Sequence, residues 1–119
     1  MSAIDIIKKF DIKVIDEEED WSIFKVGTKM HILWLQSNSN RFMMERDIFE
    51  YLDSNKLPYS ILLFNKKEKK YFYIDLKKGY NWVKACFDSC DKDTLFLGKQ
   101  IMNYPVTEKE IVSILKKIL

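Results

Sequence analysis

Residues 30–36, M-H-I-L-W-L-Q, are apolar at both alternating sets of positions. A strand clothed in apolar side chains on both faces belongs in the middle of a sheet that is covered on both sides. Residues 59–64, Y-S-I-L-L-F, form a second run of the same kind. Between them, residues 41–57 carry Phe42, Met44, Ile48, Phe49, Tyr51 and Leu52 at helical spacing, and Pro58 closes the segment. Two central strands joined through a helix are expected to lie parallel, with a right-handed crossover.

The remaining elements fit around that pair. Ile4, Ile6, Ile7 and Phe10 suggest an N-terminal helix. Residues 11–15 read as a first strand, with Ile12 and Val14 on one face, and residues 21–26 as a second. Gly27-Thr28 marks a tight turn into the strand at 30–36. Residues 66–70 form a polar turn, residues 71–76 its hairpin partner, and residues 80–90 a helix with Trp82, Val83, Cys86 and Phe87 inward. Residues 94–97 are extended. Thr107 and Glu110 form a capping box for a last helix over 107–119, with Ile111, Ile114, Leu115 and Ile118 as its buried stripe. The expected fold class is α/β in the broad sense, an α+β mixed sheet flanked by helices, in a single domain spanning 1–119.

Composition narrows the functional classes. With 47% hydrophobic and 32% charged residues the chain is globular. No apolar run approaches the roughly 20 residues that cross a bilayer, and no secretory signal is visible, so no membrane partner and a cytoplasmic location are the expectation. Cys86 and Cys90 read as reduced core residues and His31 as a packed one. Three glycines leave no phosphate-cradling loop. Residues 1–64 carry 8 basic and 11 acidic side chains, residues 65–119 carry 12 and 7. Lys66, Lys67, Lys69, Lys70, Lys77 and Lys78 hold most of the excess, as a candidate nucleic-acid-binding surface or a solvated hairpin tip.

The apolar strand ends in Q-S-N-S-N, and upstream lies Glu17-Glu18-Glu19-Asp20. With a three-residue loop at 27–29, Asp20 lies opposite Gln36 and Glu18 opposite Asn38. With a two-residue loop, Glu19 lies opposite Gln36 and Glu17 opposite Asn38. A one-residue slip ordinarily exchanges faces. Here it exchanges one carboxylate for another. Carboxylates beside a carbonyl-bearing side chain suit a hard cation such as Mg²⁺, which activates water and stabilises charge on a phosphate. The alternative is an exposed acidic turn beside the ordinary polar exit of a buried strand.

The order of elements, with Asp20 and Gln36, resembles the PD-(D/E)XK nuclease superfamily, the restriction-endonuclease-like fold with an αβββαβ core. Some of its members in bacterial defence and mobile elements read as strand-Q-x-K-S, helix, proline-led apolar strand, aromatic strand. The matching stretches here are W-L-Q-S-N-S-N, R-F-M-M-E-R-D-I-F-E-Y-L, L-P-Y-S-I-L-L-F-N and Y-F-Y-I-D-L. The resemblance covers about residues 1–100. It implies Asp20 as the metal carboxylate, Gln36 as the second metal-site residue, and a lysine at position 38; Glu19 joins the candidate metal ligands through the hairpin register alone. This chain has Asn38, which carries no positive charge, and losing such a group commonly costs orders of magnitude in rate. Three outcomes follow: a dead site, a cation supplied from elsewhere (Lys25 or Arg46), or a migrated ligand at Glu45.

The leading expectation is therefore a nuclease-fold protein with a degraded or divergent metal site, of the kind carried by phages or mobile elements, that binds nucleic acid or a protein partner; whether it is an enzyme stays open, and if it is one it is a Mg²⁺-dependent nuclease. Tyr71, Tyr73, Tyr80 and Trp82 are candidate stacking residues, or core. The alternatives are an active Mg²⁺-dependent endonuclease and a protein-interaction module or inhibitor. The resemblance also implies a homodimer, since this fold often pairs.

Overall fold

In the computed structural model, residues 12–55 and 57–118 are described. The helix expected over 4–10 lies outside them. The elements run β1 (Lys13–Glu17), β2 (Trp21–Val26), β3 (Met30–Ser37), β4 (Phe42–Glu45), α1 (Arg46–Ser54), β5 (Tyr59–Asn65), β6 (Lys70–Ile74), α2 (Leu76–Asp88), β7 (Thr94–Leu97), a 3₁₀ turn (Lys99–Asn103), β8 (Pro105–Val106) and α3 (Glu108–Ile118). Six strands form one mixed sheet in the order β1-β2-β3-β5-β6-β8. β4 and β7 form a separate two-stranded ribbon. The mixed sheet with flanking helices is the expected fold class.

The doubly apolar run does sit centrally: β3 pairs antiparallel with β2 and parallel with β5. Adjacent residues of each central strand enter opposite cores. Ile23, Leu33, Leu35, Ile61 and Leu63 pack beneath α1 and α2 with Ile48, Phe49, Leu52, Val83 and Phe87. Phe24, Ile32, Trp34 and Leu62 pack on the other face with Tyr71 and with Ile111 and Leu115 of α3. Each such side chain contributes about 1.5–3 kcal/mol through burial. α3 starts where expected. The Thr107 hydroxyl accepts from the Glu110 N–H, and the Glu110 carboxylate accepts from the Thr107 N–H, each at 3.2 Å.

Three elements depart from expectation. The segment read as one helix over 41–57 begins as β4. Phe42 and Met44 are buried and Met43 is exposed, a period of two that the pairing with β7 fixes. The first strand is displaced to Lys13–Glu17, its pairing with β2 shifts between Val14 and Asp16, and Val14 is 37% exposed although it lies opposite buried Phe24. The helix expected from 80 begins at Leu76, so Lys77 and Lys78 belong to its first turn and not to the β5–β6 hairpin. Among the described residues no helix is long and apolar enough to cross a membrane, which says nothing of strand-based spans.

Candidate nucleic-acid interface at the polar end of β3

The β2–β3 hairpin uses the three-residue loop Gly27-Thr28-Lys29. Val26 faces Met30, Gly27 takes φ +55°, and the Lys29 N–H donates to the Val26 carbonyl at 3.1 Å. That register sets Asp20 opposite Gln36, and the Gln36 N–H donates to the Asp20 carbonyl at 3.0 Å. Glu18 does not reach Asn38. The chain reverses there, with the Glu18 N–H donating to the Trp21 carbonyl at 2.8 Å, and β3 ends at Ser37. Glu17 belongs to the end of β1, paired with Ser22.

Gln36 is held by its neighbours. Its side-chain oxygen accepts from the Trp34 indole N–H at 3.1 Å, and its amide nitrogen donates to the Glu19 carbonyl. Glu19 therefore meets Gln36 through main chain, and its exposed side chain is not part of the site. Beyond Gln36 the Ser/Asn alternation becomes a fixed turn. The Ser39 N–H donates to the Ser37 hydroxyl and the Arg41 N–H to the Ser39 hydroxyl, each at 3.2 Å. Buried Asn65 ties this turn to the β5–β6 hairpin, donating to the Asn40 side-chain oxygen at 2.7 Å and accepting from the Glu68 N–H at 3.0 Å.

The β5–β6 hairpin delivers the site's cation. The parallel register pairs Ser37 with Asn65, and the Lys66 N–H donates to the Ser37 carbonyl at 2.8 Å. Continued by one residue, that register sets Lys66 beside Asn38. A groove of about 330 Å³ is lined by Asp20, Gln36, Ser37, Asn38, Ser39, Arg41, Met43 and Lys66. The three residues expected at the catalytic position thus share one groove. Two cations, Arg41 and Lys66, join them.

The residues expected to replace a lysine at position 38 lie elsewhere. Lys25 pairs with His31 in mid-hairpin. Arg46 donates to the carbonyls of Phe87, Cys90 and Lys92 at 3.3, 2.7 and 2.8 Å, closing the end of α2. Glu45 lines a different groove, with Asp16, Asp47, Trp21 and Tyr51. The lysine cluster is divided as well. Lys66 lines the groove, and Lys67, Lys69 and Lys70 are exposed on the hairpin, where Lys70 pairs with Glu68 at 3.5 Å. The side chains of Lys77 and Lys78 fall outside the described part. Tyr71 is core, not a contact surface: its ring stacks on Phe64 at 4.6 Å, and its hydroxyl donates to Glu108 at 3.0 Å.

The donor set does not fit Mg²⁺. Among the described residues Asp20 is the one carboxylate lining the groove, and the Gln36 oxygen, a weaker ligand than a carboxylate, also accepts the Trp34 indole N–H. Among the described residues, no group of three or more histidines, cysteines and acids is arranged for a metal. One carboxylate against two cations, surrounded by amides and hydroxyls, suits a bound anion better than a bound cation.

Sequence reasoning reached this cation to within one residue: parallel pairing of residues 30–36 with 59–64 brings Lys66 or Lys67 to position 38, and the observed register selects Lys66. Arg41 was hidden by its assignment to a helix. Across all comparisons, no protein-family model, no curated protein and no solved structure matches this chain.

Proposed function

We propose that this chain is a divergent protein of the restriction-endonuclease-like architecture that binds nucleic acid through the groove at the end of β3 and does not cut it. The run β1-β2-β3, antiparallel, followed by β5 parallel to β3, supports the architectural half of this reading. The functional half rests on one observation: Lys66 and Arg41 line the same groove as Asp20, Gln36 and Asn38. Two cations and a ring of hydrogen-bonding side chains serve a phosphodiester backbone. They lack the paired carboxylates that would hold a catalytic metal on it.

Fluorescence anisotropy with labelled oligonucleotides across a salt series tests the binding. Affinity falls as salt rises, and Lys66→Gln and Arg41→Gln each reduce the slope of log K against log salt by about 0.7–0.9. Salt-independent binding, or slopes unchanged in both variants, removes the reading in favour of a protein-interaction module. Cleavage assays with Mg²⁺ or Mn²⁺ give equal residual cutting for wild type and Asp20→Ala. Cutting that disappears in Asp20→Ala would instead support an active endonuclease whose lysine comes from position 66.

A further inference from the structure

The β4–β7 ribbon carries one feature that phosphate binding leaves unused. Met43 and Phe96 face each other across it, and both are exposed, at 42% and 53%. The Arg41 guanidinium lies 3.9 Å from the centre of the Phe96 ring. Arg41 and Met43 also line the groove that holds Lys66 and Asp20. One arginine thus joins an exposed aromatic ring to a cationic, hydroxyl-rich cleft.

From this juxtaposition we infer that the groove and the ribbon together form a binding site for single-stranded nucleic acid, with the backbone along Lys66 and Arg41 and an unpaired base stacked on the Arg41–Phe96 pair. This rests on the polyanion-binding reading and adds the form of the polymer. Aromatic rings and guanidinium planes accept any unpaired base, because every base has a π-face. In a duplex those faces are covered by neighbouring bases, so a duplex engages Phe96 only after a base is extruded, which costs a few kcal/mol. Met43 beside Phe96 extends the apolar platform and suits the base rather than the sugar-phosphate. Duplex binding through Lys66 and Arg41 alone remains available but weaker.

The full chain is titrated against a short mixed-sequence single-stranded DNA and against the same sequence as a duplex, in matched salt. Single-stranded DNA binds tighter. Phe96→Ala weakens its binding roughly ten-fold and leaves duplex affinity and the single-strand salt slope unchanged. Phe96→Tyr keeps the wild-type affinity and Phe96→Leu does not, which separates stacking from simple apolar contact. Circular dichroism confirms that each variant is folded, as expected for a half-exposed residue. Equal affinity for both polymers, or single-strand affinity within two-fold of wild type in Phe96→Ala, overturns the inference while leaving the phosphate-binding reading intact. Binding to neither polymer at low salt overturns both.

Discussion

At the scale of single residues, position 38 is where the proposed reading is most open to test. Asn38 leaves the charge to Lys66, one strand away and beside it in register. Asn38→Lys adds a third cation to a groove in which Asp20 is the one carboxylate among the described residues. The expected outcome is tighter oligonucleotide binding, with a salt slope steeper by about 0.7–0.9, and still no metal-dependent cleavage. Cleavage arising in Asn38→Lys would show that the metal site is competent and lacks only the lysine. His31 is the second telling residue. It is 2% exposed, its Nδ1 has no hydrogen-bond partner among the described residues, and burial, with the nearby Lys25 charge, holds its pKa below the ordinary 6.5. The folded state therefore keeps the neutral ring, while the unfolded chain takes up a proton as pH falls below 6.5. Stability is full above that value and declines as the pH drops below it. Urea midpoints at pH 7.5 and 5.5 fall further for wild type than for His31→Leu, and parallel falls in the two proteins would assign the acid sensitivity to other groups.

At the scale of elements, the segment after β3 shows where sequence pattern succeeds and where it stops. Central strands were readable because apolar runs on both faces admit little else, and the capping box at Thr107 because its spacing is local. Residues 42–45 were not. Phe42 and Met44 satisfy a helical stripe as well as a strand alternation, and what selects the strand is pairing with residues 94–97, far along the chain. The site shows the same division. The Asp20–Gln36 pairing followed from the turn, but the approach of Lys66, Arg41 and Phe96 depends on how three connections meet. Arg46 is the hinge of that arrangement. It begins α1 where β4 ends, and its guanidinium satisfies carbonyls at the end of α2, with Phe87 beneath it at 5.0 Å. Arg46→Ala leaves those carbonyls without their charged donor, and is expected to destabilise the protein by about 2 kcal/mol in urea unfolding. Arg46→Lys recovers little, because a single ammonium cannot span three carbonyls in fork geometry. Full recovery by lysine would reduce the arginine's role to its charge.

At the scale of the whole molecule, the sheet is the structure that both cores share among the described residues. α1, α2 and the β4–β7 ribbon lie over one face, α3 over the other, and the two helical layers communicate through β3 and β5. Leu62 and Leu63 make this testable, being adjacent, both buried, and on opposite faces. If each layer folded on its own, Leu63→Ala would loosen the α1–α2 side and spare Trp34, while Leu62→Ala would loosen the α3 side and spare Trp82. Because every central strand contributes alternate residues to both cores, losing one face removes the packing that holds the strand for the other. Each substitution is therefore expected to cost about 2–5 kcal/mol and to shift the whole transition. Tryptophan fluorescence and far-ultraviolet circular dichroism should then report coincident urea transitions with an unchanged m value in both variants. Separated transitions in either variant would mean two folding units. The groove at the end of β3, built from parts of both hairpins and the ribbon, would then be the first region to lose its shape.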